Sequence, residues 1–91
     1  ATVEVIDTPG HTPGGVCYLF KTGDGQPATL FSGDTLFAGS CGRTDLPGGN
    51  WKTIQTSLQR LAQLEGNLWV HPGHGESTTL AQEKKYNPYM K

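Results

Sequence analysis

The chain has 91 residues, enough for one small domain or for part of a larger one. Seven Lys and Arg residues are balanced by eight Asp and Glu residues, and no basic stripe stands out, so we expect no nucleic-acid partner. The apolar runs are only a few residues long, far short of a bilayer-spanning helix, so we expect no membrane partner either.

The first third of the chain predicts three strands separated by loops. Alternating or β-branched apolar residues predict strands over residues 2–6, 16–20 and 28–31. Two prolines and three glycines force a loop over residues 7–15. Gly and Asp at residues 23–25 have the chemistry of a hairpin turn. The third strand gives way to another loop at Asp34.

The remaining residues predict a long loop, two helices and one more strand. Residues 35–50 form a glycine-rich loop of a length that is usually functional in compact domains. Asn50 is a suitable N-cap for the next helix, and Gly66 is its expected C′ residue. The apolar side of that helix comprises Ile54, Leu58, Leu61 and Ala62. The last predicted elements are a strand over 67–70, a loop over 71–75 and a helix over 79–86. Strands mixed with two helices predict an α+β fold, a sheet with both helices on one face.

Three polar residues occupy the same kind of place in this order of elements. His11, Asp34 and His74 each lie in a glycine-rich loop directly after a predicted strand. Loops that follow strands meet at a sheet edge, and imidazole and carboxylate groups are ligands for Zn²⁺, Fe²⁺ or Mn²⁺. Spacing alone leaves an alternative open, because single loop histidines are usually surface residues and a Gly-Asp pair is usually a turn.

Three short motifs carry a family resemblance. The segments 8–14 (TPGHTPG), 31–37 (FSGDTLF) and 70–75 (VHPGHG) resemble, in order and spacing, histidine and aspartate motifs of the metallo-β-lactamase superfamily. Residues 40–49 and 83–88 resemble the glyoxalase II-like branch of that superfamily. The resemblance implies that residues 1–91 are the C-terminal half of an αβ/βα sandwich with a mixed β-sheet.

The resemblance also implies a role for each candidate ligand. His11 would complete the histidine set of one metal, Asp34 would bridge two metals, and His74 would bind the second. The implied cofactor is a pair of Zn²⁺ ions, with Fe²⁺ or Mn²⁺ as alternatives, and a metal-held hydroxide would attack an acyl carbonyl. Arg43 corresponds to a basic residue that contacts a substrate carboxylate. A salt bridge to Asp45 is the equally weighted alternative for its guanidinium.

One expected motif is missing. The superfamily's H-x-H-x-D-H segment, which supplies four ligands, is not in this sequence, which contains only three histidines. We therefore expect the N-terminal half to be absent and the chain alone to be inactive. A homodimer, or pairing with the missing half, would cover the sheet face that a lone half exposes.

Three functions follow as hypotheses. The first is a metal-dependent hydrolase of a small-molecule thioester such as a glutathione conjugate. The second is a persulfide dioxygenase-like iron protein, in which His11 and Asp34 are ligands and His74 is not. The third is an inactive fragment that dimerises or pairs with a partner half. Metal content would separate the first two, because the dioxygenase holds one iron and the hydrolase two zinc ions.

The other notable residues have structural interpretations. His71 is expected not to be a ligand, and Glu83 is expected to cap or pair within the fold. Trp51 and Trp69 are expected to lie in the core or between helix and sheet. The two isolated cysteines have no CxxC spacing, which favours reduced thiols and a cytoplasmic location.

Overall fold

The computed structural model of the chain describes residues 2–23, 26–73 and 75–90. The strands are β1 (Thr2–Asp7), β2 (Val16–Lys21), β3 (Thr29–Gly33), β4 (Leu36–Phe37), β5 (Ser40–Cys41), β6 (Trp69–Pro72) and β7 (Thr78–Thr79). The helices are α1 (Trp51–Ala62), α2 (Leu80–Tyr86) and a short 3₁₀ helix (Pro88–Met90). In the part of the chain that the structure covers, no helix has the length and apolarity that crossing a bilayer requires.

Five strands form one mixed sheet in the order β1-β2-β3-β6-β7. β3 and β6 are parallel neighbours, and the other neighbours are antiparallel. The pairing of β3 with β6 contains a bulge, because Phe31 lies opposite His71 whereas Gly33 lies opposite Pro72. β4 and β5 form a separate two-stranded hairpin. The predicted α+β class with a mixed sheet is confirmed.

Helix α1 begins where the sequence predicts. The Asn50 side chain accepts a hydrogen bond from the Thr53 amide at 3.0 Å, which satisfies one of the unpaired amides of the first turn. The predicted end is wrong. The C-cap is Gln63, whose amide bonds to the carbonyls of Arg60 and Leu61, and Gly66 lies in the following turn with a φ of 82°. The helix closes on this tight last turn before it reaches the glycine.

The core lies on one face of the sheet. Side chains from the sheet and both helices form a single buried cluster, which confirms that the helices share a face. From the sheet it includes Ile6, Cys17, Leu19, Leu30 and Val70, and from the helices Ile54, Leu58, Leu61 and Leu80. The three members on α1 are spaced three or four residues apart, so one apolar side of α1 lies against the strands.

The opposite sheet face, which we call the open face, is apolar and uncovered. Its large members are between 46% and 58% exposed: Val3, Val5, Tyr18, Phe31 and Trp69. The register places Val5, Tyr18, Phe31 and His71 side by side across four strands. The expectation that Trp69 lies in the core is therefore wrong, because strand alternation directs it to the open face. Trp51 is also exposed, at 44%, and packs edge-on against Tyr89.

Three further expectations need correction or fall outside the structure. The segment predicted as a loop over 35–50 contains the β4–β5 hairpin, and β6 extends into the segment predicted as a loop over 71–75. Strand β7 precedes α2 and was not predicted. Strands of only two residues are too short to show a periodicity, so the sequence carries no signal for β4, β5 or β7. The hairpin turn predicted at 23–25 includes residues 24 and 25, which lie outside the described residues.

Candidate metal centre

The loop that carries His11 is fastened at both ends. The Thr8 amide donates to the Gly15 carbonyl at 2.8 Å, and the buried Thr8 hydroxyl lies 3.1 Å from the hydroxyl of Thr35. Gly10 has a φ of 139°, and a Cβ there would lie 2.4 Å from Cα of Ile54. Only glycine allows this contact, so the loop lies directly on helix α1 immediately before His11.

The loop that carries Asp34 begins at the end of β3. The Ser32 hydroxyl donates to the Leu36 carbonyl at 2.7 Å, and the Thr35 amide donates to the Ser32 carbonyl at 2.9 Å. Gly42 lets the two loops meet, because a Cβ at this position would lie 1.9 Å from the Asp34 carbonyl oxygen and 3.0 Å from Cβ of His11. The close approach of three backbone segments brings His11 and Asp34 together.

The two side chains face one another. His11 Nε2 lies 3.7 Å from Asp34 Oδ2, and the side chains are 25% and 47% exposed. His11 Nδ1 lies 2.8 Å from the carbonyl oxygen of Arg43. Because a carbonyl can only accept, Nδ1 carries the proton in this hydrogen bond. Neutral His11 therefore presents the lone pair of Nε2 on the side of Asp34, the tautomer that a metal ligand requires.

The arrangement fits a divalent metal. An ion with bonds of about 2.0–2.2 Å to nitrogen and oxygen holds two neighbouring ligand atoms roughly 3–4 Å apart. The observed separation of 3.7 Å between His11 and Asp34 lies within that range. Within residues 2–23, 26–73 and 75–90, no group of three His, Cys, Asp or Glu side chains is placed to hold a metal ion. Among the described residues, His11 and Asp34 are thus two candidate ligands that lie close together.

The third predicted ligand, His74, lies outside the described residues. The backbone that leads to it is close to Asp34. The Gly73 amide donates to the Gly33 carbonyl at 2.8 Å, and a Cβ at Gly73 would lie 3.4 Å from Asp34 Oδ1. The structure therefore brings together two of the three predicted ligands, and it places the chain up to residue 73 beside them.

A cavity of about 300 Å³ opens beside this pair. Its lining consists of His11, Asp34, Phe37, Ser40, Cys41, Gly42 and Arg43. Burial raises the pKa of the Cys41 thiol above its ordinary value, so this sulfur stays protonated at neutral pH. His71 lies on β6, where its Nδ1 is 2.5 Å from the Ser77 hydroxyl, and it is not part of the cavity lining.

Arg43 is engaged by a neighbour in its own loop. Its Nε and Nη2 atoms donate to the two carboxylate oxygens of Asp45 at 2.7 and 2.8 Å. The hydrogen bonds from Arg43 lower the pKa of Asp45 to about 2, and the same pairing raises the pKa of the guanidinium. The salt bridge foreseen as the alternative is thus formed, while the predicted contact of Arg43 with a substrate stays a prediction.

Sequence reasoning missed part of the cavity wall. Phe37 and Ser40 line it from the β4–β5 hairpin. Glu83 of helix α2 and Asn87, the C-cap of that helix, contact the hairpin. The sequence carries a signal for Glu83 and Asn87, because residues four apart at the end of a short helix lie on the same side of it.

Two loops at strand ends carry the candidate ligands His11 and Asp34 beside an open cavity, and comparison with known proteins shows the family. The family model of the Metallo-beta-lactamase superfamily matches residues 1–74, and the chain belongs to that superfamily. The superfamily binds metal ions, in agreement with the His11–Asp34 pair.

Individual relatives narrow the neighbourhood. The chain is 38% identical over 88 residues to the hydroxyacylglutathione hydrolase GloC of Haemophilus influenzae, covering 96% of the chain and 40% of that protein. Among solved structures it resembles TTHA1623 in a di-iron-bound form, with a TM-score of 0.83 and 46% identity over 96% of the chain and 42% of that structure. It also resembles ETHE1 from Myxococcus xanthus, with a TM-score of 0.80 and 37% identity over 94% of the chain and 38% of that structure. The chain thus spans about 40% of the length of GloC.

Proposed function

We propose that this chain provides His11, Asp34 and His74 to the metal site of a hydrolase that cleaves thioesters. The observation that carries the proposal is the approach of His11 Nε2 to Asp34 Oδ2 at 3.7 Å beside a cavity. His74 enters from the sequence, and the position of Gly73 against Asp34 supports it. The hydrolytic reaction is supported by the similarity to GloC.

The residues of this chain have distinct tasks in such a reaction. A bound divalent metal would supply Lewis acidity and lower the pKa of water. His11 is held in its metal-binding tautomer by the Arg43 carbonyl, and Asp34 contributes negative charge beside it. Phe37 gives the cavity an apolar wall suited to an acyl chain, and Ser40 adds a polar one.

The substrate class rests on two observations. The relative GloC is named a hydroxyacylglutathione hydrolase, which supports an acyl-glutathione thioester as the first substrate to test. Arg43 lines the cavity and is a candidate to bind a substrate carboxylate, but Asp45 already accepts hydrogen bonds from its Nε and Nη2 atoms. Because Asp45 neutralises the guanidinium and holds its Nε–Nη2 edge, we expect weak selection for the glutathione end and a broad range of thioesters.

We also propose what occupies the open face. The chain covers 40% of GloC, and the three ligands that we propose are too few to hold two metal ions. The open face presents Val5, Tyr18, Phe31 and Trp69 without a lysine or arginine among its strand residues in the described segments. A polypeptide that corresponds to the remaining part of GloC would cover this face and complete the metal site in one step.

The test combines the chain with that polypeptide. We expect a one-to-one complex that retains metal after dialysis and hydrolyses S-lactoylglutathione, whereas the chain alone is inactive. In the complex, His11→Ala and Asp34→Ala should abolish metal retention, and His71→Ala should leave it unchanged. Phe31→Lys should prevent association, while Gln59→Lys on the exposed side of α1 should not.

Several outcomes would contradict these proposals. A stable homodimer of the chain that binds metal and hydrolyses the thioester by itself would refute the proposed occupant of the open face. A complex that retains metal but hydrolyses no thioester would refute the reaction. Metal analysis separates the alternative: one iron per complex favours the dioxygenase-like protein, and two metal ions favour the hydrolase.

A further inference from the structure

The β4–β5 hairpin, which forms one wall of the cavity, is too small to be stable without support from other parts of the chain. The β4–β5 hairpin has two residues in each strand and joins no other strand of the described sheet. Isolated hairpins are marginally stable in water even when they are longer. Leu36 anchors its first strand in the core and Cys41 of the second strand packs against that core, but the turn at Ala38 and Gly39 does not belong to it.

That support comes from a buried carboxylate on helix α2. Glu83 is 2% exposed, and its Oε1 accepts hydrogen bonds from the Gly39 amide at 2.8 Å and from the Asn87 side chain at 2.9 Å. Its Oε2 accepts from the Thr78 hydroxyl at 2.8 Å. These three donors are uncharged, so hydrogen bonds to neutral groups compensate for the burial of this carboxylate.

Asn87, the C-cap of α2, extends the contact to the far side of the turn. It is fully buried, and its Nδ2 donates to the Ser40 carbonyl at 2.9 Å and contacts the Phe37 carbonyl at 3.4 Å. Its Oδ1 accepts from the Tyr89 amide at 2.9 Å, which fixes the orientation of the side-chain amide. Glu83 and Asn87 together therefore contact the hairpin at Phe37, Gly39 and Ser40.

We propose that Glu83 and Asn87 are positioning residues that hold the β4–β5 hairpin as a rigid wall of the substrate cavity. Two cavity-lining residues, Phe37 and Ser40, are bound through their backbone carbonyls, so the position of the wall depends on these contacts. Naming the cavity a substrate site rests on the proposed function, but the positioning itself is a property of this chain and can be tested without catalysis.

The hydrogen-bond geometry predicts that the hairpin needs the hydrogen-bonding atoms of the Glu83 side chain but not its negative charge. Gly39 and Asn87 both donate to Oε1 of Glu83, whereas Oε2 meets only the Thr78 hydroxyl. In Glu83→Gln the amide oxygen can take the place of Oε1. The new NH₂ group can then donate to Thr78, whose hydroxyl turns to accept. The glutamine variant should therefore keep the wall in place, and Glu83→Ala should release it.

Hydrogen exchange of the 91-residue chain tests the proposal. In Glu83→Ala we expect the exchange of the Gly39 and Gly42 amides to accelerate about tenfold more than that of the β3 amides, since removing the carboxylate leaves buried donors unpaired. Asn87→Asp should give at least the same local acceleration, because a second carboxylate would face Glu83 and two carbonyl oxygens. Glu83→Gln should stay within about twofold of wild type.

Matched controls keep the result interpretable. Lys84→Ala changes the exposed neighbour of Glu83 on the same helix and should leave hairpin exchange unchanged. If Glu83→Ala accelerates the β3 amides as much as the hairpin amides, Glu83 supports the whole fold and the proposal is wrong. It is equally wrong if the hairpin stays protected in Glu83→Ala or if the glutamine variant fails to restore protection. If the alanine variant does not fold, Asn87→Asp and Glu83→Gln still decide.

Discussion

The two faces of the five-stranded sheet are built from similar side chains but have opposite surroundings. On one face Leu30 is completely buried beneath the helices, whereas its neighbour Phe31 on the other face is 46% exposed. A single strand thus carries a core residue and an exposed aromatic residue in adjacent positions. The difference shows that the strands have the composition of a sheet covered on both sides, and that this chain covers only one of them.

The largest loss of stability is expected for a substitution on the covered face of the sheet. Leu30→Ala should lower the free energy of unfolding by about 2–5 kcal/mol, because it opens a cavity in the core. Phe31→Ala in the next position should cost less than about 1 kcal/mol in the isolated chain, because its ring is already half in water. Urea denaturation of both variants provides the comparison. Equal losses would mean that the open face is covered in solution, for example by a second copy.

A second prediction concerns the loop that lies against the covered side. Gly10→Ala should destabilise the chain by about 3 kcal/mol, because it combines an unfavourable φ with a clash against the backbone of Ile54. Gly14→Ala in the same loop is the matched control, since a Cβ there meets no atom within 4 Å. Thermal denaturation should separate the two variants. A stable Gly10→Ala would show that the loop does not rest on α1.

The smallest effect is expected for an exposed pair on the cavity rim. Arg43 lowers the pKa of Asp45 to about 2, below the value of about 3.9 typical of an unfolded chain. The pair therefore stabilises the fold fully above that unfolded value, and this contribution disappears as the pH falls towards 2. Because both side chains are exposed, Asp45→Asn should shift the urea midpoint only slightly at pH 7. An NMR titration of the Asp45 carboxyl checks the pKa, and a midpoint near 4 would contradict the pairing.

Much of this arrangement could be predicted from local chemistry. Periodicity located β1, β2 and α1, and the Asn50 cap fixed the start of the helix, because these features depend on neighbours in sequence. The α+β class and the shared face of the helices followed from the order of the elements. The approach of His11 to Asp34 was foreseen through their common position after strands and through the family motifs.

The remaining features depend on residues that are distant in the chain. The β4–β5 hairpin is held by Glu83 and Asn87, more than forty residues away, and no local pattern encodes that contact. The exposure of Trp69 depends on what covers the sheet, which strand periodicity does not reveal. The sequence allows the salt bridge of Arg43 to Asp45 as one of two alternatives; the structure forms it, and the contact of Arg43 with a substrate stays a prediction.

The bulge in β3 has a consequence for the predicted metal ligands. Two residues of β3, from Phe31 to Gly33, advance against a single step on β6, from His71 to Pro72. This extra residue advances β3 relative to β6, and a Cβ at Gly73 would lie 3.4 Å from Asp34 Oδ1, an ordinary contact distance. Shortening β3 by one residue would shift Asp34 along β6 and move it away from Gly73. The position of Asp34 relative to the third motif thus depends on the strand register as well as on the number of residues between the two motifs.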